Sequence, residues 1–492
     1  MLALSILLIP LFSAVVLFLL GTHQQRVSSI FLFSTAILFV FTILGLTIWN
    51  QPVLHHFSAN WLPSLGSSFS LSFDPLASIL CLLNALVYFL LAIYLYNKPT
   101  EKPAAFYGWL LLAQAGMMGV FLATDGLLFY FFWELALIPM YFLSSIWGGA
   151  RRIAVTFKFF IYTFLGSVLM LAGLIYLQSL TADQSFALSS LLKVRLTTAQ
   201  QTWLIWLFLP AFAIKLPLFP FHTWQPDTYE EAPTPVTAVL SAVMVKMGIL
   251  GILRWLLPFL AIASYQWGDG VMGLAVGGIV YASLIAWRQN DLKRLVAYSS
   301  IAHIGLMGAA AFAANTIAFQ GLCFQLFAHG VNILGMWLLV DIIEKNLGTR
   351  QISSLGGLAQ HSPSLTLFMV IIAFANIALP LTNGFVGELL MFTGLLATKS
   401  NYYWVLTAVA GLGIILSAVY TLGMVRLVFF GESNSITSKP IRLLLQEKLV
   451  LLLIVVLILF FGIFPQPLLE LTEDYADHLS KLTDISNLFS KP

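Results

Sequence analysis

Residues 203–224 read WLIWLFLPAFAIKLPLFPFHTW, an apolar run that contains one lysine and three prolines. A helix needs about 20 apolar residues to cross a hydrocarbon core of roughly 30 Å, so the run is long enough to span a membrane. Pro217 and Pro220 would each remove a hydrogen bond from that helix. The run therefore predicts a spanning helix that is broken next to Lys215. Such breaks are tolerated where protein or a water-filled cavity satisfies the freed backbone groups.

The rest of the chain has the same apolar character. Of its 492 residues, 60% are hydrophobic and 9% are charged, whereas soluble domains carry about 25% charged residues. Apolar runs recur from end to end and predict an all-α polytopic membrane protein of about fourteen transmembrane helices. We place the spans near 2–21, 29–49, 73–96, 105–122, 125–147, 153–178, 203–222, 234–257, 269–287, 294–314, 316–343, 364–396, 402–430 and 449–468.

Lysines and arginines are distributed unevenly among the loops. If the N-terminus lies outside, most of them fall in inside loops, among them Arg26, Arg151, Arg152, Arg288 and Arg350. This asymmetry follows the positive-inside rule. It predicts an even number of spans, with both chain termini outside.

A second span is also interrupted. Residues 375–390 read ANIALPLTNGFVGELL, with Pro380 and Gly384 in mid-span. The breaks fall in spans 7 and 12, and an offset of five spans inverts orientation, which predicts two inverted five-helix repeats, as in many transporters. The resulting segments are an N-terminal three-helix segment at 1–100, a first repeat at 105–257, a second repeat at 269–430, and helix 14 with a surface tail at 431–492.

Four charged residues lie deep inside predicted spans: Glu134, Lys215, Lys246 and Glu388. Glu134 is about nine residues into its span, or roughly 13 Å deep at 1.5 Å per residue. A charge at the bilayer centre costs about 2.5–3.5 kcal/mol on insertion scales. Four such residues beside two helix breaks therefore require an explanation.

Two explanations fit these charges. They could form buried ion pairs that hold helices together, although such pairs are weak stabilisers. They could instead form a proton relay, because a low-dielectric surrounding disfavours both charged forms and a neighbouring opposite charge restores them. Moving a neighbour would then load or unload a proton. We favour the relay, with Glu134 as modulator of Lys215, Lys246 as the next site and Glu388 as the last.

Histidines are the natural bridges in such a relay, because they titrate nearest neutral pH. His303 and His329 fall in spans 10 and 11, where each is a relay candidate or a satisfied core histidine. His222, at the end of span 7, is a secondary candidate that could equally be an interfacial anchor.

Three other features are predicted to be mainly structural. Asp74-Pro75 resembles a helix N-cap followed by proline at the first helical position. Arg254 lies near a span end, from which its head group could reach the interface. The acidic segment 227–231 could contact a partner, shape a route for proton uptake, or be a solvated turn.

Several other functions find no support in the sequence. It contains no phosphate-binding loop, dinucleotide fingerprint or cysteine cluster, so we expect no nucleotide, flavin, iron–sulfur centre or metal site in this chain. Cys81 and Cys323 are expected to be small buried hydrophobes. No basic stripe with interleaved aromatics suggests nucleic-acid binding.

Four motifs carry a resemblance to a known family. They are FFWELALIPMYFL at 131–143, AFAIKLPLFPFHTWQPD at 211–227, VMVKMGILGILRW at 243–255 and NDLKRLVAYSSIAHIG at 290–305. They resemble the antiporter-like subunits of respiratory complex I, the NADH–quinone oxidoreductase, over roughly 70–470. One departure is QPDTYEEAP after Trp224, where many relatives have LPDAHxEAP.

The resemblance implies fourteen core helices, two inverted repeats and one proton channel. By position, it implies a glutamate–lysine pair at Glu134 and Lys215, a connecting lysine at Lys246, a central histidine at His303 and an exit glutamate at Glu388. It also implies that NADH, FMN, iron–sulfur clusters and quinone bind to partner subunits, with sister chains L and N as neighbours. The expected location is the inner membrane of a bacterium.

The same module occurs in other complexes, so alternatives stay open. One is a subunit of a multisubunit cation/proton antiporter, and another is a subunit of a membrane-bound hydrogenase or a photosynthetic relative. Glu388 favours the complex I subunit over the antiporter subunit, because antiporter subunits generally place lysine at that position; the sister chains L and N of complex I generally do so too, which sets this chain apart from them.

Overall fold

The computed structural model describes residues 1–20, 23–47 and 55–484. Within this part of the chain, twelve helices are long and apolar enough to cross a membrane. The 18-residue helix α7 and the two half-helices of α12 complete fourteen spans, which confirms the predicted helical membrane architecture. The spans are α1 Leu2–Leu20, α2 Gln24–Thr47, α3 Pro75–Leu95, α4 Pro103–Leu122, α5 Gly126–Trp147, α6 Arg152–Ser179, α7 Thr198–Lys215, α8 Thr234–Leu256, α9 Ala261–Trp287, α10 Leu292–Phe312, α11 Thr316–Leu347, α12a Pro363–Asn376 with α12b Asn383–Leu396, α13 Tyr403–Phe429 and α14 Leu445–Ile463.

The chain divides into two units that exchange segments. Among the described residues, unit 1 comprises those within 1–215 and 243–266, and unit 2 comprises 216–242 and 267–484. The tail residues 485–492 of the predicted C-terminal segment lie outside the described residues. The predicted segment boundaries at 100, 257 and 430 stay predictions.

Unit 1 is assembled by close packing between α4 and α5. A Cβ added to Gly116 would lie 2.6 Å from the backbone nitrogen of Ala136, and one added to Gly119 would lie 2.2 Å from the ring of Phe132. The two helices therefore touch almost backbone to backbone at these glycines. Asp74 caps α3 by accepting a hydrogen bond from the Ala77 amide at 2.9 Å, as predicted.

A β-hairpin that the sequence did not predict lies between α2 and α3. Strands β1 His56–Leu62 and β2 Ser67–Ser72 pair antiparallel, with His56 opposite Ser72. Gly66 turns the chain with a φ of 73°, a conformation that glycine adopts without strain. The hairpin lies in unit 1, and its strands are too short to have stood out against the apolar spans.

Unit 2 is organised around α11, a 32-residue helix that is buried over its central 18 residues. Helix α12b packs tightly against it, because Gly321 and Gly394 remove the side chains that would hold the two backbones apart. A final helix, α15 Gln466–Thr483, packs on α11, and its Leu468, Ala476 and Leu479 are buried. It lies within the segment that the sequence predicts to be a surface tail.

Both predicted helix breaks are present. Helix α7 ends at Lys215, two residues before Pro217. Helix α12a ends at Asn376 and α12b begins at Asn383, so residues 377–382 form a non-helical link. Within that link Ala378 and Leu381 have φ values of 55° and 75°, a conformation that costs free energy in residues with a Cβ and is common at functional sites.

An aspartate that caps a helix and also forms an isolated β-bridge occurs in each unit, and the two helices are five spans apart. Asp125 caps α5 and forms an isolated bridge with Ala187 before α7. Asp291 caps α10 and forms an isolated bridge with Gln351 before α12a. The offset from span 5 to span 10 equals the offset between the two broken spans, which supports the predicted repeats.

Candidate functional site

Lys215 and Glu134 face each other within unit 1. Lys215 is the last residue of α7 and is 1% exposed. Its ammonium interacts electrostatically with the carboxylate of Glu134 on α5, and the hydroxyl of Ser167 on α6 lies beside that carboxylate. The lysine Nζ has no hydrogen-bond partner among the described residues. The structure thus brings together Glu134 and Lys215, the pair expected from the sequence.

Aromatic rings lie close to this lysine. Its Nζ lies 5.4 Å from the ring centroid of Trp133, within range of a cation–π interaction. The ring of Trp133 meets Phe212 of α7 edge-on, with centroids 5.9 Å apart. Because aromatic rings exclude water and lower the local dielectric constant, the charge of Glu134 acts strongly on Lys215.

Lys246 occupies an irregular part of α8. It is 1% exposed and begins a short α-helical segment between two π-helical segments, Leu240–Met244 and Gly251–Leu256. π-Helical turns are rare and frequently lie at functional sites. The irregularity was not evident from the sequence, which predicted an uninterrupted helix here.

Arg254 has a different environment from the one expected. It is 4% exposed, donates a hydrogen bond of 2.7 Å to the carbonyl oxygen of Phe121, and forms an ion pair with Asp74. Its head group is therefore buried within the protein and held by the partly exposed Asp74. Arg254 joins the end of α8 to the start of α3 and the end of α4.

Unit 2 brings together three of the predicted relay residues. His303 Nδ1 on α10 lies 3.0 Å from Oε1 of Glu388 on α12b, and both side chains are buried. The ring of His329 on α11 lies 5.9 Å from the ring of His303, centroid to centroid. A carboxylate and an imidazole in direct contact can exchange a proton without an intervening group.

A small cavity adjoins this contact. Its volume is about 20 Å³, and Tyr420 and Ser417 of α13 line it together with His303 and Glu388. Most of the lining is apolar, but these four polar side chains give a water molecule the partners it needs, and the volume is large enough for one. Water at this position can therefore hydrogen-bond to Glu388.

Sequence reasoning missed a polar chain that leads away from the cavity. The hydroxyl of Tyr420 donates to Ser299 Oγ at 3.1 Å, and the side-chain amide of Asn376 donates to the same oxygen at 3.0 Å. Asn376 is the last residue of α12a, so the chain connects the cavity to the helix break. One signal was available: Tyr420 sits in mid-span, whereas tyrosines concentrate at the membrane interfaces.

His222 lies in an aromatic setting in unit 2. It is 3% exposed, and its ring stacks on Phe219 and meets Tyr281 edge-on, with centroids 5.7 and 5.2 Å away. It follows the break at Pro217, as the sequence suggested. Burial argues against the interfacial anchor.

The acidic segment 227–231 makes ion pairs within its own chain. Glu230 and Asp227, on the short helix Gln225–Glu231, lie 2.8 and 3.3 Å from Arg294. Arg350 pairs with Glu230 at 3.2 Å and also with Asp291 and Glu344. Among the three open readings, these contacts exclude a simple solvated turn. Within the described residues no group of three or more His, Cys, Asp or Glu could hold a metal ion.

The chain resembles one family of membrane proteins over most of its length. Residues 123–415 match the family model for the transmembrane region of NADH:quinone oxidoreductase and Mrp antiporters. The chain is 37% identical to NADH-quinone oxidoreductase subunit M of Rhodobacter capsulatus, covering 84% of this chain and 82% of that protein. It is 34% identical to F420H2 dehydrogenase subunit M of Methanosarcina mazei, with 97% of each covered. A chain of respiratory complex I from Thermus thermophilus with bound NADH matches with a TM-score of 0.91 at 28% identity, covering 98% of this chain and 100% of that one.

We predict that Arg254→Leu destabilises the protein by about 3 kcal/mol, because it leaves the carboxylate of Asp74 without its counter-charge. Thermal unfolding in detergent measures the effect. Lys399→Ala is the matched control, since it breaks an ion pair with Asp484 whose lysine is 70% exposed, and exposed pairs are worth about 0–1 kcal/mol. Equal melting temperatures for the two variants would contradict an anchoring role for Arg254.

Proposed function

The chain belongs to the NADH:quinone oxidoreductase/Mrp antiporter membrane family, and we propose a route by which it moves protons. It is a proton-translocating membrane subunit of the subunit M type. The relay comprises Glu134, Lys215, Lys246, His303 and Glu388. The observation that carries the proposal is the buried 3.0 Å contact between His303 and Glu388, beside a cavity with room for water.

The first step concerns the pair in unit 1. The carboxylate of Glu134 stabilises the ammonium form of Lys215, and the face of Trp133 adds to this stabilisation. When the carboxylate moves away or is neutralised, the ammonium loses its counter-charge in a low-dielectric surrounding. Lys215 then gives up its proton, and Lys246 is the next basic side chain of the relay.

The last step concerns the pair in unit 2. An imidazole that receives a proton through one nitrogen can release one through the other, so His303 can load Glu388 directly. Cavity water next to Glu388 can then accept the proton. His329 lies beside His303 and is a further group through which protons can reach it. His222 stays a secondary candidate.

The energy for this transfer comes from other subunits. We propose that NADH, FMN, iron–sulfur clusters and quinone are bound there and that this chain has no redox centre of its own. We also propose that the sister antiporter-like chains L and N are its neighbours in the bilayer. The chain would lie in the bacterial plasma membrane with both termini outside, as the distribution of loop lysines and arginines favours.

The family also contains antiporter subunits, and a second function has to be tested against the first. A subunit of a cation/proton antiporter would work without a redox partner. Glu388 favours the oxidoreductase, because its contact with His303 uses a carboxylate where the antiporter subunits generally carry lysine. The electron donor is set by other subunits, as the similarity to an F420H2 dehydrogenase subunit illustrates.

We predict that purification of the tagged chain in mild detergent brings down subunits with flavin and iron–sulfur absorbance. Visible spectra and mass spectrometry of the purified complex measure this. An assembly of membrane subunits alone, with no flavin, would point to the antiporter function instead.

We predict that Lys215→Met and Glu134→Ala each reduce proton translocation in vesicles to about a tenth or less, because each removes one half of a proton-exchanging pair. Substrate-driven quenching of a pH-sensitive dye measures pumping, and native gels check assembly. Lys193→Met is the control, since Lys193 lies exposed in the loop before α7. If both variants pump like the wild type, the relay proposal is wrong.

We predict that Glu388→Gln impairs pumping while the complex still assembles, because an amide keeps the shape of the carboxylate but cannot accept a proton from His303. Glu470→Gln, on the exposed side of α15, is the control. Pumping in Glu388→Gln that matches this control would exclude Glu388 as the final site.

A further inference from the structure

One face of α3 carries a row of polar side chains that the relay does not use. The residues are Asp74, Ser78, Cys81, Asn84 and Tyr88. At 100° per residue they fall within one third of the helix circumference, and from the first to the last they extend about 21 Å along the helix. The row begins at Asp74, whose side chain is 28% exposed, and its other members are fully buried.

The backbone of α4 contacts this row at Gln114. The side-chain amide of Asn84 donates a hydrogen bond of 3.4 Å to the backbone carbonyl oxygen of Gln114, so α3 and α4 meet at this level. Gln114 is 0% exposed. We name Cys81, Asn84, Tyr88 and Gln114 the α3–α4 file, with the Asp74–Arg254 ion pair at its end.

The file has unmet hydrogen-bonding capacity. Asn84 Oδ1, the Tyr88 hydroxyl and both amide atoms of Gln114 have no hydrogen-bond partner among the described residues. Buried polar atoms in native proteins nearly always have one, and a hydrocarbon surrounding offers none. Water can satisfy these atoms, because the side chains of Asn84, Tyr88 and Gln114 are neutral and each has both a donor and an acceptor. A cation would need a carboxylate, and the only one beside the file, that of Asp74, is paired with Arg254.

Gln114, part-way along the file, lies at about the depth of Lys246. Arg254 of α8 donates to the carbonyl oxygen of Phe121 on α4, which fixes one level shared by these two helices. Gln114 is seven residues before Phe121, or about 10 Å from that level, and Lys246 is eight residues before Arg254, or about 12 Å from it. Since α4 and α8 run in the same direction, Gln114 and Lys246 lie at similar depths. The segment that begins at Lys246 also packs against α4.

We propose that the α3–α4 file holds ordered water and conducts protons between Lys246 and the membrane face at which Asp74 lies. A proton enters at one end while another leaves at the other, so no group in the file changes its covalent state. The Asp74–Arg254 ion pair stands at the mouth of the file and limits access to it. This path rests on the proposed function of Lys246, but the presence of water in the file can be tested without pumping.

The first experiment detects the water. Radiolytic hydroxyl-radical footprinting of the intact complex oxidises side chains next to bound water, and mass spectrometry reads each site. We expect Cys81 and Tyr88 to be oxidised several-fold faster than equally buried controls. The controls are Cys323 on α11 and Tyr107 on α4, whose hydroxyl donates to the carbonyl oxygen of Leu95 at 3.3 Å. Equal rates at the file and control residues would overturn the proposal.

The second experiment tests conduction. Asn84→Leu combined with Gln114→Leu replaces the amides with apolar groups, and it should slow oxidation of Tyr88 and reduce pumping several-fold. Ser78→Ala is the matched control, because Ser78 lies on the same face but its hydroxyl is bonded to Pro75 within its own helix. Full pumping in the double variant overturns the path even if water is present. If instead the proposed function is wrong, Lys215→Met should pump normally while the oxidation of Cys81 and Tyr88 stays as in the wild type.

Discussion

The free energy of taking an ammonium or carboxylate group out of water is large, with an effective penalty of several kcal/mol per ion inside a protein. Each buried charge in this chain must therefore be offset by something nearby. Lys215 has Glu134 and the face of Trp133, and Glu388 has His303. These contacts require α5 and α7 to meet at Glu134 and Lys215 in unit 1, and α10 and α12b to meet at His303 and Glu388 in unit 2.

The second constraint is that buried backbone groups must be hydrogen-bonded, and it bears on the two lysines of the proposed relay, which lie where helices are irregular. A regular transmembrane helix satisfies its own hydrogen bonds and offers a proton nothing to bind. At the end of α7, along α8 and between α12a and α12b, that regularity is interrupted. Lys215 and Lys246 lie at the first two irregularities, and Glu388 follows the third. Polar side chains at these points can also join hydrogen-bonded chains, as the amide of Asn376 does with Ser299.

Much of this architecture could be predicted from the sequence, because length and hydropathy determine what a bilayer accepts. The spans, both helix breaks and the four deep charges were recognisable from apolar runs, prolines and isolated Glu or Lys. The π-helical segments of α8 were not, since nothing in LSAVMVKMGILGILRWL distinguishes them from an α-helix. The β-hairpin was missed because two short strands leave a weak alternation. Tyr420 and Ser299 were missed because their importance comes from a contact between distant segments.

The ion pairs of the chain differ in a way that separates structure from function. Arg254 and Asp74 form a pair that cannot exchange its proton usefully, because a guanidinium stays protonated under all physiological conditions. Their geometry is reinforced by backbone contacts, the capped amide of Ala77 on one side and the carbonyl oxygen of Phe121 on the other. The pairs at Lys215 and Glu388 instead combine groups that can each lose or gain a proton. Lys215 also lacks the hydrogen bonds that would hold its ammonium in one place. Lys215 and the His303–Glu388 contact therefore have the exchangeable protons that the proposed relay requires, and the Arg254–Asp74 pair does not.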